Sequence, residues 1–177
     1  MIPKIALQPK QMEAAEYWCD SITEEILFGG AKGGTKSFTG CTLIFSDALI
    51  YPGTLYFIAR HDLNDLRKYT TQSIMEVFSF MKLDFNTYVK YNGQDSCFEL
   101  YNESKVFFID CKKTPADPEY HRFGSLQFTR GWFEEIGQIN SLAIINLIAA
   151  VGRWKNIEYG LNARARYLFI LGFILWV

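Results

Sequence analysis

The chain has 177 residues, 49% of them hydrophobic, with 18 basic against 19 acidic side chains. That length predicts one domain able to bury about two-thirds of its unfolded surface, and an apolar content this high with only 13 Gly and 5 Pro excludes a disordered, collagen-like or low-complexity chain. A net charge of −1 excludes a basic nucleic-acid coat and leaves room only for a local basic patch.

Residues 1–11 contain no continuous apolar stretch, so no secretory leader is expected. Gln11–Asp20 predicts a helix with Met12, Ala15, Trp18 and Cys19 on one stripe. Glu25–Phe28 predicts a short buried strand that delivers the chain into Gly29-Gly30. Lys36 to about Ile50 predicts a buried helix, ended by the Pro52-Gly53 turn. Thr54–Ala59 is β-branched and aromatic, a second strand. Asn64–Met81 carries Leu66, Tyr69, Ile74, Val77 and Phe78 as an amphipathic helix. Between Thr87 and Asp110, turn residues Asn92-Gly93 and Asn102-Glu103 split the runs TYVKY, CFEL and KVFFID into a β-meander. Pro115–Phe123 reads as a polar loop, and Gln127–Phe133 as a strand ending in Glu134-Glu135. Ser141 is a plausible N-cap for a helix to about Val151. The apolar run Tyr167–Val177 is eleven residues long. A bilayer span needs roughly 20, so a buried strand is expected and no membrane partner.

Cys19, Cys41, Cys97 and Cys111 form no C-x-x-C pair and read as reduced core thiols of a cytoplasmic protein. His61 and His121 are isolated, which argues against zinc. Strand, glycine loop, helix, strand, helix and later strand predict an α/β fold. Its central sheet is mainly parallel and flanked by helices, with the β-meander as a small insertion.

The segment Ile26–Ser37, ILFGGAKGGTKS, carries the most chemistry. The phosphate-loop pattern is G-x-x-x-x-G-K-[ST] between a strand and a helix. With Gly30 as its first glycine, Lys36 and Ser37 fall on the lysine and hydroxyl positions. The candidate ATP-binding residues are therefore Gly30, Ala31, Lys32, Gly33, Gly34, Thr35, Lys36 and Ser37. Glycines let backbone N–H groups turn inward around a polyphosphate, and the helix N-terminus adds its positive dipole end. Lys36 would reach the β- and γ-phosphates, and Ser37 would give an oxygen to Mg²⁺. Thr35 stands where the pattern has its last glycine. If the backbone there needs positive φ, a β-branched residue costs on the order of 1–3 kcal/mol. The alternative is a glycine-rich turn that binds nothing.

Hydrolysis also needs a carboxylate for Mg²⁺ and a group that orients water. Glu134 is the candidate metal residue and Glu135 the candidate catalytic one. Adjacent residues of an extended strand project to opposite sides, which would divide the two roles. The alternative is a solvated surface pair. Arg60, after the second strand, is either a contact to DNA or to a neighbouring subunit's phosphate, or a surface residue.

Taken together, these segments resemble the N-terminal ATPase part of the large terminase subunit of tailed bacteriophages. Leu7–Gln11 resembles the adenine-contacting glutamine motif, with Gln11 as the contact. Ile26–Ser37 resembles the family's variant phosphate loop, in which an early basic residue, here Lys32, is frequent. Phe128–Gly137 resembles the Walker B strand with its catalytic glutamate, and Gly152–Asn156 with Glu158–Gly160 is similar to the segment that follows. The match runs over roughly residues 5–162.

The resemblance implies a P-loop NTPase of the ASCE type that couples ATP hydrolysis, with Mg²⁺, to packaging of viral DNA into procapsids. It implies double-stranded viral DNA, a portal ring on the procapsid and a small terminase subunit as partners. A homo-oligomer on the portal and the bacterial host cytoplasm as location are implied too. The family's C-terminal nuclease domain has no counterpart among these 177 residues, which read as one ATPase domain with an incomplete C-terminal part. Where the family continues into a polar coupling motif, Ala163–Val177 is almost wholly apolar, so an early end to the reading frame is expected. The other readings are a truncated prophage remnant that binds nucleotide without motor activity, and a helicase-like P-loop ATPase.

Overall fold

The computed structural model describes residues 7–20, 22–29, 35–161 and 167–170, with Thr35 and the last four as backbone. In chain order the elements are α1 (Pro9–Cys19), β1 (Glu25–Phe28), α2 (Thr35–Ile50) and β2 (Leu55–Arg60), then a helical segment of α3 (Leu63–Asp65), a π-turn (Leu66–Thr70) and α4 (Thr71–Phe80). They continue as α5 (Phe85–Tyr88), β3 (Val89–Asn92), β4 (Cys97–Leu100), β5 (Lys105–Asp110), β6 (Arg130–Phe133), α6 (Ser141–Ile148) and β7 (Tyr167–Ile170).

The sheet order is β1-β7-β6-β2-β5-β4-β3. From β1 to β5 every pairing is parallel, while β4 and β3 extend the far side as antiparallel strands. The fold is thus α/β, as the order of elements predicts. The expected meander is less separate than an insertion, because its last run, KVFFID, pairs in parallel with β2 along the strand's whole length. The first run also begins later than expected, since Phe85–Tyr88 closes a helical turn capped by Asp84. Part of the apolar run near the end, Tyr167–Ile170, is a strand paired with β1 and β6. Residues 171–177 lie outside the described residues.

Period-2 alternation decides which side chains meet which layer. Tyr56 and Ile58 of β2, with Trp132 of β6, pack under α1, α2 and α4 beside Trp18, Phe45 and Phe78. Phe57, Ala59 and Phe133 face the other way, against α6 and the loop before β6, with Tyr120, Phe128 and Leu147. Two glycines allow this density. A Cβ on Gly40 of α2 would stand 2.5 Å from the Trp132 indole, and one on Gly131 would stand 2.1 Å from the Phe57 ring.

A buried ion pair ties three elements together. Arg130 Nη1 lies 2.5 Å from Asp47 Oδ2, Trp18 Nε1 donates to the same oxygen at 2.9 Å, and the guanidinium sits 4.9 Å from the Trp18 ring centroid. A charge pair of this kind holds only when both partners are present.

Several local expectations change. The buried face of α1 is Gln11, Ala14 and Trp18, while Met12 and Cys19 are exposed, because the helix packs through the inward-turned Gln11. Cys19 is therefore a surface thiol; Cys41, Cys97 and Cys111 are buried. The long helix predicted over 64–81 contains the π-turn, and Tyr69 is half exposed rather than on the stripe. Asn140, not Ser141, caps α6 by accepting from Leu142 N, and the helix ends at Ile148. The strand expected over 127–133 is confined to Arg130–Phe133. Within the polar loop over 115–123, Tyr120 and Phe123 are core residues. Among the described residues, no helix is long and apolar enough to cross a membrane.

Candidate active site

Parallel pairing places the C-terminal ends of β1 and β6 on one edge of the sheet, with β7 between them. In open α/β sheets that edge is where ligands bind. The glycine loop leaves β1 there and Glu134-Glu135 leaves β6 there. Gly30, Ala31, Lys32, Gly33 and Gly34 lie outside the described residues. Thr35 is the first residue of α2, in helical backbone, where the positive φ that would penalise a β-branched side chain is not required. Lys36 follows it, half-buried in the first turn.

Ser37 and Glu134 meet directly. The Ser37 hydroxyl donates to Glu134 Oε1 at 2.5 Å. Glu134 is 3% exposed, so its charge needs compensation inside the protein. Two groups supply it. Thr70, from the π-turn, donates its hydroxyl to Oε2 at 2.5 Å, and Arg60 Nη1 lies 3.5 Å from the same oxygen. Arg60 also lies 3.5 Å from Asp65 Oδ2. The reading of Arg60 as a surface residue does not match this: its side chain is 14% exposed and turned inward to Glu134.

Glu135 differs from its neighbour in every respect that matters. Both glutamates lie beyond the end of β6, so strand alternation does not separate them; a left-handed residue does. Glu135 has φ 53 and ψ 50, an uncommon conformation for a side chain of its size. It is half-buried, and its carboxylate makes no hydrogen bond or ion pair with the described residues.

Gln11 has its whole amide engaged. Its Oε1 accepts from Gln8 N at 2.8 Å in a reciprocal cap on α1, and its Nε2 donates to Thr39 Oγ1 at 3.0 Å. Contact with an adenine would require exchanging one of these bonds. The side chains that α1 turns toward the end of β1 are others: Lys10, Glu13 and Tyr17 border a cleft of about 270 Å³ that ends at Phe28 and Gly29.

Sequence reasoning missed Thr70. It sits in a helical run whose pattern reports burial, and nothing in that pattern distinguishes a core threonine from one that hydrogen-bonds a glutamate 64 positions away. The donor set of Ser37 and Glu134 consists of hard oxygens from two elements, which suits Mg²⁺ better than a soft metal.

The sequence matches no protein-family model and no curated protein. Solved structures do match. The large terminase of a thermophilic bacteriophage superposes with a TM-score of 0.68 at 12% identity, over 92% of this chain and 38% of that one. Its complex with ADP matches equally, at a TM-score of 0.68. The large-terminase ATPase domain of Thermus phage P74-26 matches at 0.61 and 11% identity, over 97% and 68% of the two chains. The N-terminal domain of the DNA-packaging ATPase of bacteriophage phi29 matches at 0.57 and 14% identity, over 97% and 81%. At these identities the likeness is one of fold: the chain has the α/β fold of phage large-terminase ATPase domains. It spans 38% of the length of the thermophilic phage's terminase.

Proposed function

We propose that this chain binds and hydrolyses ATP as the ATPase domain of a phage DNA-packaging motor. The observation that carries the reading is the contact of Ser37 with Glu134 at the sheet edge, where the first turn of α2 and the end of β6 converge. The fold shared with phage large terminases, one of them solved with ADP and with ATP-γ-S, supports it.

In this reading the N-terminus of α2 and the glycine-loop backbone, residues Gly30 to Thr35, present N–H groups to the phosphates. Lys36 offsets charge that develops on the transferred phosphoryl group. Ser37 and Glu134 would hold Mg²⁺, which when bound neutralises the β- and γ-phosphate oxygens. Ser37 must then give its oxygen rather than its proton, so the hydroxyl seen on Glu134 turns away. The Arg60 guanidinium offsets the buried charge of Glu134. Glu135, displaced by its left-handed backbone and without a partner among the described residues, orients the attacking water. The base would lie toward the cleft beside Gly29, with Gln11 as its contact only if the amide leaves Thr39.

The wider role is part of the same proposal: movement of double-stranded viral DNA into a procapsid, with the chain acting as a homo-oligomer on the portal beside a small terminase subunit, in the host cytoplasm. The test is ATP turnover by the purified chain, alone and with DNA and portal-bearing procapsids. Turnover that requires Lys36 and rises with procapsids is expected. Turnover unchanged in Lys36→Ala would overturn the assignment.

A further inference from the structure

We propose that Thr70 is a positioning residue for the metal site: it holds one oxygen of Glu134 so that the other faces Ser37. This rests on the reading of Ser37 and Glu134 as the Mg²⁺ pair. A carboxylate only accepts hydrogen bonds, so the direction of the Thr70 contact is fixed, and its one hydroxyl proton goes to Oε2 at 2.5 Å. Arg60 lies 3.5 Å from that oxygen, too long to fix its orientation. Ser37 takes Oε1. The two oxygens of Glu134 are thus divided between a hydroxyl that must turn away when metal binds and one that need not.

The surroundings of Thr70 fit this role better than a merely structural one. A threonine in a helix ordinarily returns its hydroxyl to a carbonyl one turn back. Thr70 instead sends it to another element. It is the last residue of the π-turn, which Thr71 N closes by donating to Leu66 O. Such turns are rare and concentrate at functional sites. Thr70 is 0% exposed and shares its inward stripe with Leu66, Ile74 and Val77, so a helix anchored in the core, not a loop, carries the hydroxyl. The outer face of the same turn is also fastened: Arg67 donates to Tyr91 Oη at 3.2 Å and Ser96 Oγ at 2.7 Å on the β3–β4 hairpin.

Outer partners of metal ligands typically set affinity by about 10- to 100-fold. The test measures binding, not turnover. A fluorescent ATP analogue is titrated into the chain in EDTA and across a Mg²⁺ series, for wild type, Thr70→Val and Thr70→Ser. Thr70→Val, which keeps the shape and loses the proton, is expected to bind nucleotide as wild type in EDTA and to need at least about tenfold more Mg²⁺ for the same gain. Thr70→Ser is expected to restore the wild-type requirement. Should the valine variant not fold, Thr70→Cys, a weak donor of similar size, replaces it in the comparison with serine. A Mg²⁺ requirement equal across donor and non-donor variants overturns this proposal alone. A wild-type chain whose nucleotide affinity ignores Mg²⁺ overturns the Ser37–Glu134 reading and this proposal with it.

Discussion

Ser37 and Glu134 stand 97 positions apart in the chain and meet at 2.5 Å, so the first turn of α2 and the end of β6 share one hydrogen bond at the sheet edge. Removing the carboxylate takes from the Arg60 guanidinium its better-buried partner and leaves it the half-exposed Asp65 at 3.5 Å. Glu134→Ala should therefore cost about 3 kcal/mol, the lower end for breaking a buried pair. For a chain of this size that lowers Tm by about 6–12 °C. Calorimetric melting checks it; a variant that melts with wild type would mean that the pair contributes nothing to stability.

Glu135 links stability to activity in the opposite sense. Its left-handed backbone, with φ 53, costs a non-glycine residue of the order of 1–2 kcal/mol, and asparagine tolerates that region better. Glu135→Asn should raise Tm by a few degrees while abolishing ATP turnover and leaving nucleotide binding in place. A variant that is both more stable and fully active would remove Glu135 from the catalytic role.

The inner layers leave no room for one more carbon at two places. Gly131→Ala puts a methyl where the Phe57 ring stands, 2.1 Å away in the unrelaxed structure. Overpacking of this kind costs typically about 1–3 kcal/mol. The expected fall in Tm is about 2–12 °C, and Gly40→Ala, against Trp132, should behave alike. Gly137→Ala is the control, since a Cβ there meets nothing within 4 Å.

The thiols divide by burial. Cys19 lies on the surface; Cys41, Cys97 and Cys111 are buried. Burial pushes the Cys111 thiol up to about 12, and burial with the nearby Glu134 charge raises Cys41. The reactive form is the thiolate, so near pH 8 a maleimide should add once to the folded chain, at Cys19, and four times in guanidinium. Rapid labelling of a second site in the native protein, read by mass spectrometry, would contradict the packing of the core.

The fold class was legible because its signals are local. Strand composition in TLYFIA and KVFFID, the glycines after Phe28 and the turn pairs Asn92-Gly93 and Asn102-Glu103 each act over a few residues. The place of Glu134 at the end of an apolar strand was legible for the same reason. What the sequence hid is pairing at long range. Nothing local marks Arg130 as the partner of Asp47 from α2, 83 positions away. Arg60 reads as a contact to DNA or a neighbour's phosphate, or as a surface residue, yet it turns inward to a glutamate 74 positions on. The π-turn left no mark, because Leu66, Ile74 and Val77 keep helical spacing with or without it.

The most direct test of the account is calorimetric titration of Mg-ATP into the purified 177-residue chain, with Lys36→Ala beside it. Micromolar binding that disappears in the variant is expected. A folded chain that binds no Mg-ATP, or a Lys36→Ala variant that binds it equally well, would contradict a working phosphate loop.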